Sequence, residues 1–583
     1  MERRGILVSV TCLAFLLTAC NGSGESTVST LDRAAKTRIA MGGSDNAVLK
    51  NSGSCAALEN DLKALAAAEI LTWFEQGRSG PVAVDAESGA DAPNDGSGAA
   101  DYTNNQVAGI DEADFVKTDG DRLFVLQDSG LARFEIPVAG EILPAGTQAI
   151  EGYPLALLLH DDRLLIVSGG NIDFSDDTAD SLMSGVTTVK LTLLEWPDDQ
   201  PASVIAERWF DGTYLAARLL DNTARLVLHG ALPNPVLQDL WQIMTESDDE
   251  ETARNVALEA LAALELEDLL PRGYLRNDAG ELVSVPYTNN DCAEFEIPAD
   301  SNGGGVSSVL SLDLLASETL ESQHVVSNYP VVYMSRQHLY LAESAQAWWW
   351  FAWNDNGAEK LNVHAFTLAA GSVDYLDSVR TIGAPINQFA LDEYDNTLRM
   401  ATWTGGARWW WADQPIESQL HTFSIDSDGL AMRGSLDGIA PGEQLFAARF
   451  VDDTAYLVTF EQIDPLFVID LSDPSRPAVL GELEVPGFST YLHPLPENRL
   501  LAVGIGGDDE GVNWNTVVSL FDVSEPTKPS LAARHDFNYE NGDWNWTEAL
   551  YEHKAFQYHT ERGLLAIPMD ASRNSNGNGN GIW

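Results

Sequence analysis

One short unit recurs along this chain: a polar turn followed by an apolar run that is led by Leu or Tyr. Another apolar run precedes each copy, and most copies are followed by a third run and a second turn. Four strands per unit, at intervals of about 40 to 60 residues, predict an all-β fold, a β-propeller whose blades surround an axis. The copies are "DGDRLFVL" at 119, "HDDRLLIV" at 160, "DNTARLVL" at 221, "SRQHLYLA" at 335, "YDNTLRMA" at 394, "DDTAYLVT" at 452, "PENRLLAV" at 496 and "TERGLLAI" at 560. These starts favour eight blades over residues 104–583, with seven as the alternative.

The third run of several units carries a repeat of its own. Two copies, "IDLSDPSRPA" from 469 and "FDVSEPTKPS" from 521, share the pattern D-[LV]-S-[DE]-P-x-x-P. Pro fixes φ, and the side chains of Asp and Ser hydrogen-bond to the backbone of a turn. The repeated acids therefore predict turn chemistry rather than catalysis.

The first residues predict export rather than a folded element. Arg3 and Arg4 form a positive n-region, and residues 5–17 form an apolar run that is too short to span a bilayer permanently. The run ends in "LTAC", so Cys20 resembles the lipidated first residue of a bacterial lipoprotein, with residues 1–19 as its signal peptide. A conventional secretory signal is the alternative.

Lipidation would fix the mature protein to the cell envelope, because acyl chains stabilise membrane attachment by about 0.8 kcal/mol for each buried CH₂. Asn21 occupies the position where an Asp would favour the inner membrane. We therefore expect the outer membrane if the cell has two membranes. Residues 20–103 are expected to form a Gly/Ser/Thr-rich tether that contains a helix at 55–77 and a linker behind it.

Two cysteines remain in the exported part, Cys55 and Cys292. An oxidising compartment favours one disulfide between them, and two buried thiols are the alternative. Cys292 lies in a long insertion at about 231–305, which contains the helix-like stretches "NPVLQDLWQIMTE" and "ETARNVALEALAALELEDLL". A disulfide would therefore fasten this helical insertion to the N-terminal helix.

The chain is strongly acidic, with a net charge of −55 from 33 basic and 88 acidic residues. Nucleic acid and anionic lipid both require clustered cations, so we expect neither as a partner. Membrane contact is expected through the lipid anchor only. An acidic surface suits a salty medium, and it equally suits an exported protein that is kept soluble by hydrated carboxylates.

Five acidic residues crowd into residues 111–121, directly ahead of the first repeat. Their spacing fails the EF-hand pattern, which needs acids at alternating positions and a Glu at the twelfth. A looser Ca²⁺ site could use Asp111, Glu112 and Asp114. We instead expect carboxylates that cap backbone N–H groups and pair with Arg, and we expect no cofactor.

Arg449, His493 and His553 fall near predicted inner strands, which line the axial channel of a propeller. Their convergence could build an acid–base site at the channel mouth, and these three are the candidate catalytic residues. Neither a metal-binding spacing nor a nucleophile motif accompanies them. Polar inner-strand residues that are satisfied by hydrogen bonds are the favoured interpretation.

The long insertions all fall between the second and third strands of a unit, so their loops should emerge on one face of the ring. Insertions on one face commonly mark a binding side. The tryptophans on this face are Trp348, Trp349, Trp350, Trp353, Trp403, Trp409, Trp410, Trp411 and Trp514. Exposed indoles suit either a protein hot spot or sugar rings, and packing beneath the insertion is the alternative.

Several stretches resemble a family of exported bacterial and archaeal β-propeller-domain proteins. They include "TNNQVAGIDEADFVKTDGDRLFVL", "INQFALDEYDNTLRMAT", "SLFDVSEPTKP" and "EALYEHKAF". The resemblance implies a propeller that is exported, has no assigned reaction and continues beyond residue 583, so that the last blade is truncated here. We therefore expect a non-enzymatic binding or scaffold lipoprotein for an envelope protein or polysaccharide. A hydrolase or lyase acting on glycans is the alternative.

Overall fold

A computed structural model describes most of the chain. The described residues are 27–41, 47–76, 103–127, 130–170, 187–198, 200–288, 292–299, 303–316, 320–345, 359–405, 415–460, 464–507, 514–537, 544–572 and 578–582. Cys20 and the signal peptide lie outside them, as do Trp348, Trp349, Trp350, Trp353, Trp409, Trp410 and Trp411.

Two helices and two short strands precede the first sheet. They are α1 (Thr27–Met41), β1 (Leu49–Asn51), α2 (Cys55–Gln76) and β2 (Asp111–Glu112). The predicted N-terminal helix is present as α2. The predicted tether is wrong for residues 27–41, because Leu31 and Ala35 lie one turn apart on α1 and are buried, and α1 packs against α2.

The first three sheets follow in chain order, with the helical insertion inside the third. The first sheet contains β3 (Val116–Thr118), β4 (Arg122–Gln127), β5 (Gly130–Val138) and β6 (Glu141–Ala149). The second contains β7 (Tyr153–His160), β8 (Arg163–Gly170), β9 (Thr188–Glu195) and β10 (Ser203–Asp211). The third contains β11 (Thr213–Leu220), β12 (Thr223–Ala231), β16 (Gly305–Asp313) and β17 (Leu320–Ser327). Between β12 and β16 the chain forms the helical insertion, with α3 (Pro235–Glu246), α4 (Glu250–Ala262), β13 (Gly273–Arg276), β14 (Leu282–Val285) and β15 (Phe295–Pro298). β13 and β14 extend the second sheet through β10, and β15 extends the third through β17.

The later sheets have no helical insertion in the described residues. The fourth contains β18 (Pro330–Met334), β19 (His338–Ser344), β20 (Lys360–Leu368) and β21 (Val373–Ile382). The fifth contains β22 (Leu391–Tyr394), β23 (Thr397–Thr404), β24 (Glu417–Asp426) and β25 (Gly429–Ile439). The sixth contains β26 (Gln444–Val451), β27 (Thr454–Phe460), β28 (Asp464–Asp470) and β29 (Ala478–Val485), and the seventh β30 (Phe488–Leu495), β31 (Arg499–Gly506), β32 (Asn515–Asp522) and β33 (Ser530–Asp536). The chain then forms β34 (Trp544–Trp546), β35 (Gln557–His559), β36 (Leu564–Ala566), β37 (Pro568–Ser572) and β38 (Asn578–Ile582).

The sheets confirm the propeller and correct its blade number. Five sheets are four-stranded antiparallel meanders, and a six-stranded and a seven-stranded sheet each contain such a meander. β34–β38 instead form a three-stranded and a two-stranded sheet. The favoured count of eight blades is therefore wrong for the described residues, because the repeat start at 560 leads into short strands that do not complete a meander.

The polar turn of the repeat is a tight hairpin that joins the first and second strands. Asp161, Asp221, Asp395 and Asp452 each occupy such a turn with φ between 45° and 56°. Asp and Asn tolerate the left-handed region better than most residues that carry a side chain. In the D-[LV]-S-[DE]-P-x-x-P repeat, Asp470 accepts from the Ser472 backbone N–H at 2.9 Å and Asp522 from the Ser524 backbone N–H at 3.0 Å, so the turn chemistry predicted for that repeat is confirmed.

The core lies between consecutive sheets rather than at the centre of the ring. Between the sixth and seventh sheets, for example, Val458 and Val468 pack with Leu492 and Leu500 in one buried cluster. Similar apolar clusters separate the other neighbouring sheets. Polar groups are therefore left to occupy the place where the inner strands converge.

The helical insertion is tied to the N-terminal helix as predicted. Cys55 at the start of α2 and Cys292 form a disulfide with their Cα atoms 5.0 Å apart. β1 also pairs with β15, which extends the third sheet. Among the described residues, no helix is long and apolar enough to cross a membrane.

Candidate functional site

Two regions bring together the residues that could carry a function. The first is the axial segment, residues 103–114, which lies where the inner strands converge. Asn104 Nδ2 donates to the carbonyl oxygens of Phe556 (2.8 Å) and His553 (3.2 Å), near the C-terminus. Gln106 Nε2 donates to the carbonyl oxygens of Gln388 (3.0 Å), just ahead of the fifth sheet, and of Leu391 (3.2 Å), its first residue. The axial segment therefore joins distant parts of the ring.

Strand β2 within the axial segment pairs with the third sheet and not with the first. Glu112 lies opposite Arg218 on β11, and Asp111 lies opposite Leu219. Asp111 and Glu112 therefore do not belong to the inner strand of the first sheet, although they directly precede the first repeat. The inner strand of the first sheet begins at Val116.

Glu112 is the centre of a buried polar network that we call the axial cluster: Glu112, Arg218, Gln388, Arg449, His493 and His553. One carboxylate oxygen accepts from the Gln106 backbone N–H at 2.8 Å. The other lies 3.4 Å from an Arg218 guanidinium nitrogen and 3.4 Å from His553 Nε2. Arg218 also donates to the side chain of Gln388. All six side chains are buried.

Three members of the axial cluster occupy one repeated position. Arg218, Arg449 and His493 each lie two residues before the end of an inner strand, on β11, β26 and β30. The Arg449 guanidinium lies 5.0 Å from the Phe389 ring centre, and the ring of His553 contacts the same Phe389 edge-on. The repeat therefore places an Arg or His side chain at the same position along three different inner strands, in the axial cluster.

Burial changes the protonation of both axial histidines. Removal from water, followed by the positive charge of Arg449, lowers the pKa of His493 to about 3. Burial also lowers the pKa of His553 well below its ordinary value, and the nearby Lys554 and Arg449 act in the same direction. Both imidazoles are therefore neutral at pH 7.

The candidate catalytic residues Arg449, His493 and His553 are thus neighbours, as their positions in the sequence suggested. They are nevertheless enclosed, with exposed fractions of 6%, 2% and 0%. His493 Nδ1 also lies 3.0 Å from the Tyr491 hydroxyl. A substrate would have to displace packed protein to reach them.

The candidate Ca²⁺ ligands point to different protein partners. Asp111 pairs with Lys117, which also donates to Thr103 Oγ1 at 2.7 Å. Glu112 faces Arg218 and His553, and Asp114 accepts from its neighbouring backbone N–H at 2.6 Å. No group of three or more potential metal ligands occurs in the part of the chain that the structure describes.

The second region is the loop face, which we define as the side of the ring where second strands end and third strands begin. The helical insertion leaves this face between β12 and β16. Trp403 lies next to the end of β23, and Trp514 directly precedes β32, so the two predicted tryptophans that the structure describes are both on this side. The other seven predicted tryptophans lie outside the described residues.

Trp514 joins three phenylalanines in an aromatic cluster between the sixth and seventh sheets. The ring centres of Phe446 and Phe488 are 4.6 Å apart, and those of Phe460 and Phe488 are 4.8 Å apart. Trp514 lies 5.9 Å from Phe460 and 6.4 Å from Phe488. Trp514 is 37% exposed, and the three phenylalanines are partly exposed. We call this group the loop-face aromatic cluster.

Trp403 behaves differently from Trp514. Its backbone forms a bridge with Ala384, and its side chain is partly buried against the core between the fifth and sixth sheets. The packing alternative therefore describes Trp403 better than surface display does.

Sequence reasoning did not single out Arg218 or the three phenylalanines. The signal for Arg218 was present, since "LAARL" at 215–219 and "FAARF" at 446–450 place Arg218 and Arg449 at the same point of the repeat. The phenylalanines come from three strands, and no local pattern joins them.

Comparison with known proteins places the chain among propellers without naming an activity. A family model described as Beta propeller domain matches residues 101–582. An uncharacterized protein of Methanocaldococcus jannaschii is 36% identical over 219 residues, which are 38% of this chain and 31% of that protein. An uncharacterized protein of Archaeoglobus fulgidus is 34% identical over 210 residues, 36% of this chain and 30% of that protein. The chain thus matches less than a third of the length of each relative.

Among solved structures, a crystal structure of a Lactobacillus plantarum protein shares 13% identity with this chain. The superposition covers 47% of this chain and 76% of that protein, with a TM-score of 0.29.

Proposed function

The chain belongs to the beta-propeller-domain family, and from this premise we propose that it is an envelope-anchored binding or scaffold lipoprotein. It would recognise a protein or polysaccharide through its loop face. The observation that carries the proposal is the loop-face aromatic cluster, which combines close ring packing with a partly exposed indole. A generic binding or scaffold role is consistent with the propeller fold.

The loop-face aromatic cluster has the properties of a recognition surface. Phe488 contacts Phe446, Phe460 and Trp514, so the rings hold one another in place. A rigid aromatic surface binds without the entropy cost of ordering long side chains, and aromatic residues are enriched among interface hot spots. Indole faces also suit the C–H surfaces of sugar rings. These properties support a ligand of either class.

Anchoring rests on Cys20, the expected lipidated residue. Metabolic labelling with a fatty-acid analogue should mark the full-length chain, and Cys20→Ser should remove both the label and the membrane association. Cys12→Ser, which changes a cysteine inside the predicted signal, is the matched control and should retain both. An unlabelled chain that is released into the medium would contradict the anchor.

Binding is tested with the full-length chain in mild detergent, presented separately with purified envelope polysaccharide and with an envelope protein fraction. We expect saturable retention on one of the two. Glycosidase treatment should abolish the signal in the first case, and protease treatment in the second. Absence of saturable retention on both fractions would overturn the proposal.

Catalysis on glycans is the alternative, with Arg449, His493 and His553 at the channel mouth. Their burial in the axial cluster argues against access for a polymer. Turnover of an envelope glycan that disappears in His493→Gln and persists in Trp514→Ala would favour the enzyme over the binding module.

A further inference from the structure

A cavity of about 190 Å³ lies beside the propeller, between α2 and the beginning of α3. Its walls include the aliphatic side chains of Leu62, Leu65, Leu232 and Leu237. The side chain of Glu69 on α2 also lines it. The cavity therefore combines an apolar lining with a carboxylate.

The Glu69 carboxylate is hydrogen-bonded by Asn234, which also caps the N-terminus of α3. Asn234 Nδ2 donates to Glu69 Oε2 at 2.9 Å, while Asn234 Oδ1 accepts from the Leu237 backbone N–H at the start of α3. Capping fixes the Asn234 side chain, so Glu69 receives one neutral hydrogen bond. No ion pair between Glu69 and a cation occurs in the part of the chain that the structure describes.

Burial of this carboxylate raises the pKa of Glu69 above its ordinary value, and the Asn234 hydrogen bond only partly offsets the effect. A carboxylate in apolar surroundings gains most from a group that carries positive charge. The cavity wall therefore lacks the counter-charge that would best complement Glu69.

An aromatic residue lies one helical turn beyond two of the residues that line the cavity. Leu237 and Gln238 line the cavity, and Trp241 follows them by four and three positions on α3, so it lies on the same side of the helix. Trp241 is 60% exposed. An exposed indole attracts organic cations through the face of its ring.

We propose that this cavity binds a small organic cation, an aliphatic primary amine whose ammonium group meets Glu69 and whose carbon chain lies against the leucines. A cavity of about 150 Å³ holds benzene, so the volume here suits a ligand of roughly six to eight non-hydrogen atoms. Trp241 would attract the cation as it enters. This site is separate from the loop-face aromatic cluster and does not depend on the function proposed above.

The surrounding structure keeps the cavity in shape. The Cys55–Cys292 disulfide joins α2 to the insertion, and the pairing of β1 with β15 holds the chain just ahead of α2. α2 also packs against α4. A pre-formed site loses little affinity to reordering.

The test is calorimetric titration of the full-length chain at pH 7 with n-hexylammonium, 1-hexanol and hexanoate. The three probes share a carbon chain and differ in charge. We expect saturable binding of one n-hexylammonium per chain, weaker binding of 1-hexanol and no binding of hexanoate. Because the acidic surface attracts cations generally, the titration is repeated at high salt, where specific binding should persist.

Two matched variants distinguish binding that depends on Glu69 from binding that depends on the overall negative charge of the protein. Glu69→Gln keeps the shape of the side chain and should weaken n-hexylammonium by about tenfold or more, while 1-hexanol binding stays the same. Glu75→Gln replaces an exposed glutamate on the same helix and should leave the affinities for n-hexylammonium and 1-hexanol unchanged. Trp241→Ala should weaken the binding of n-hexylammonium more than the binding of 1-hexanol.

Equal binding of n-hexylammonium and 1-hexanol, or equal losses in Glu69→Gln and Glu75→Gln, would overturn the proposal. Absence of saturable n-hexylammonium binding to a chain with native thermal unfolding would do the same. Binding should also weaken as the pH is lowered and Glu69 takes up a proton, because the amine stays charged over that range.

Discussion

The axial cluster and the loop-face aromatic cluster lie on the same ring and differ in what their side chains can still contact. In the axial cluster, Glu112 lies between Arg218 and His553 and is enclosed by protein. In the loop-face aromatic cluster, the rings pack on one another, and the Trp514 indole retains an exposed surface. The first arrangement holds distant parts of the chain together, whereas the second leaves an area that a ligand could cover.

This difference cautions against equating titratable groups with function. Perturbed pKa values are common in active sites, and structural ion-pair networks perturb them as well. The axial histidines have perturbed pKa values, as active-site residues often do. Their burial and their contacts with Tyr491 and Glu112 nevertheless favour a structural network. The binding hypothesis therefore rests on an aromatic surface in which no group titrates near neutral pH.

The largest expected effect is on the axial cluster. Arg218→Met should lower the free energy of unfolding by about 3 to 5 kcal/mol, because it leaves the Glu112 carboxylate buried without its guanidinium partner. Chemical denaturation of the full-length chain measures the loss. Arg476→Met is the matched control, since Arg476 pairs with Asp473 at the surface and its side chain is 84% exposed.

The control should lose less than about 1 kcal/mol. Equal effects of Arg218→Met and Arg476→Met would mean that the axial segment does not hold the ring together.

Removal of the disulfide tests how strongly the helical insertion is coupled to the propeller. Cys55→Ser combined with Cys292→Ser should lower stability by about 2 to 5 kcal/mol, because a long loop of the unfolded chain is no longer closed. Scanning calorimetry should show the earlier transition in the module formed by α1 to α4. If the propeller and the helical module instead shift together by the same amount, the two form a single cooperative unit.

A smaller effect concerns pH. His493 has a lower pKa in the folded chain, about 3, than the ordinary 6.5 of an unfolded one, so the unfolded chain binds the proton first as pH falls. Stability should therefore be lost from about pH 6.5 downwards, by at most about 1.4 kcal/mol for each pH unit from this group.

His493→Gln should reduce that slope when the free energy of unfolding is measured between pH 6.5 and 4. His535→Gln, which makes the same substitution at an exposed histidine on β33, is the matched control for the loss of an imidazole. An identical slope in wild type and His493→Gln would contradict the buried, neutral imidazole.

Much of the fold could be predicted because the repeats, the helix α2 and the helical insertion are local patterns. The disulfide was predicted from the two cysteines that follow the expected signal peptide and from the oxidising compartment expected for them. Other features depend on contacts that no local pattern encodes. Glu112 was expected to cap a backbone N–H and pair with an Arg, and both expectations are confirmed. The sequence did not show that the Arg is Arg218 or that His553 is a further neighbour, because these residues meet Glu112 only when the ring closes.

Asp119 shows where local reasoning succeeds. Its carboxylate accepts from the backbone N–H groups of Asp121 (3.1 Å) and Arg122 (2.8 Å), as turn chemistry predicts. The helix α1 was missed because its apolar positions are few and are interrupted by Thr, Arg and Lys, and packing on α2 stabilises it. The loop-face aromatic cluster was predicted only through Trp514, since its phenylalanines come together in the folded ring.

The most direct measurement compares Trp514→Ala with Tyr394→Ala in binding to whichever envelope fraction retains the full-length chain. Tyr394 is 41% exposed and lies at the end of β22, on the side of the ring opposite the loop face. Trp514→Ala should weaken half-maximal binding by about tenfold or more, as for a central hot-spot residue, while Tyr394→Ala binds like wild type. Unchanged binding by a folded Trp514→Ala variant, or an equal loss in both variants, would contradict recognition through the loop face.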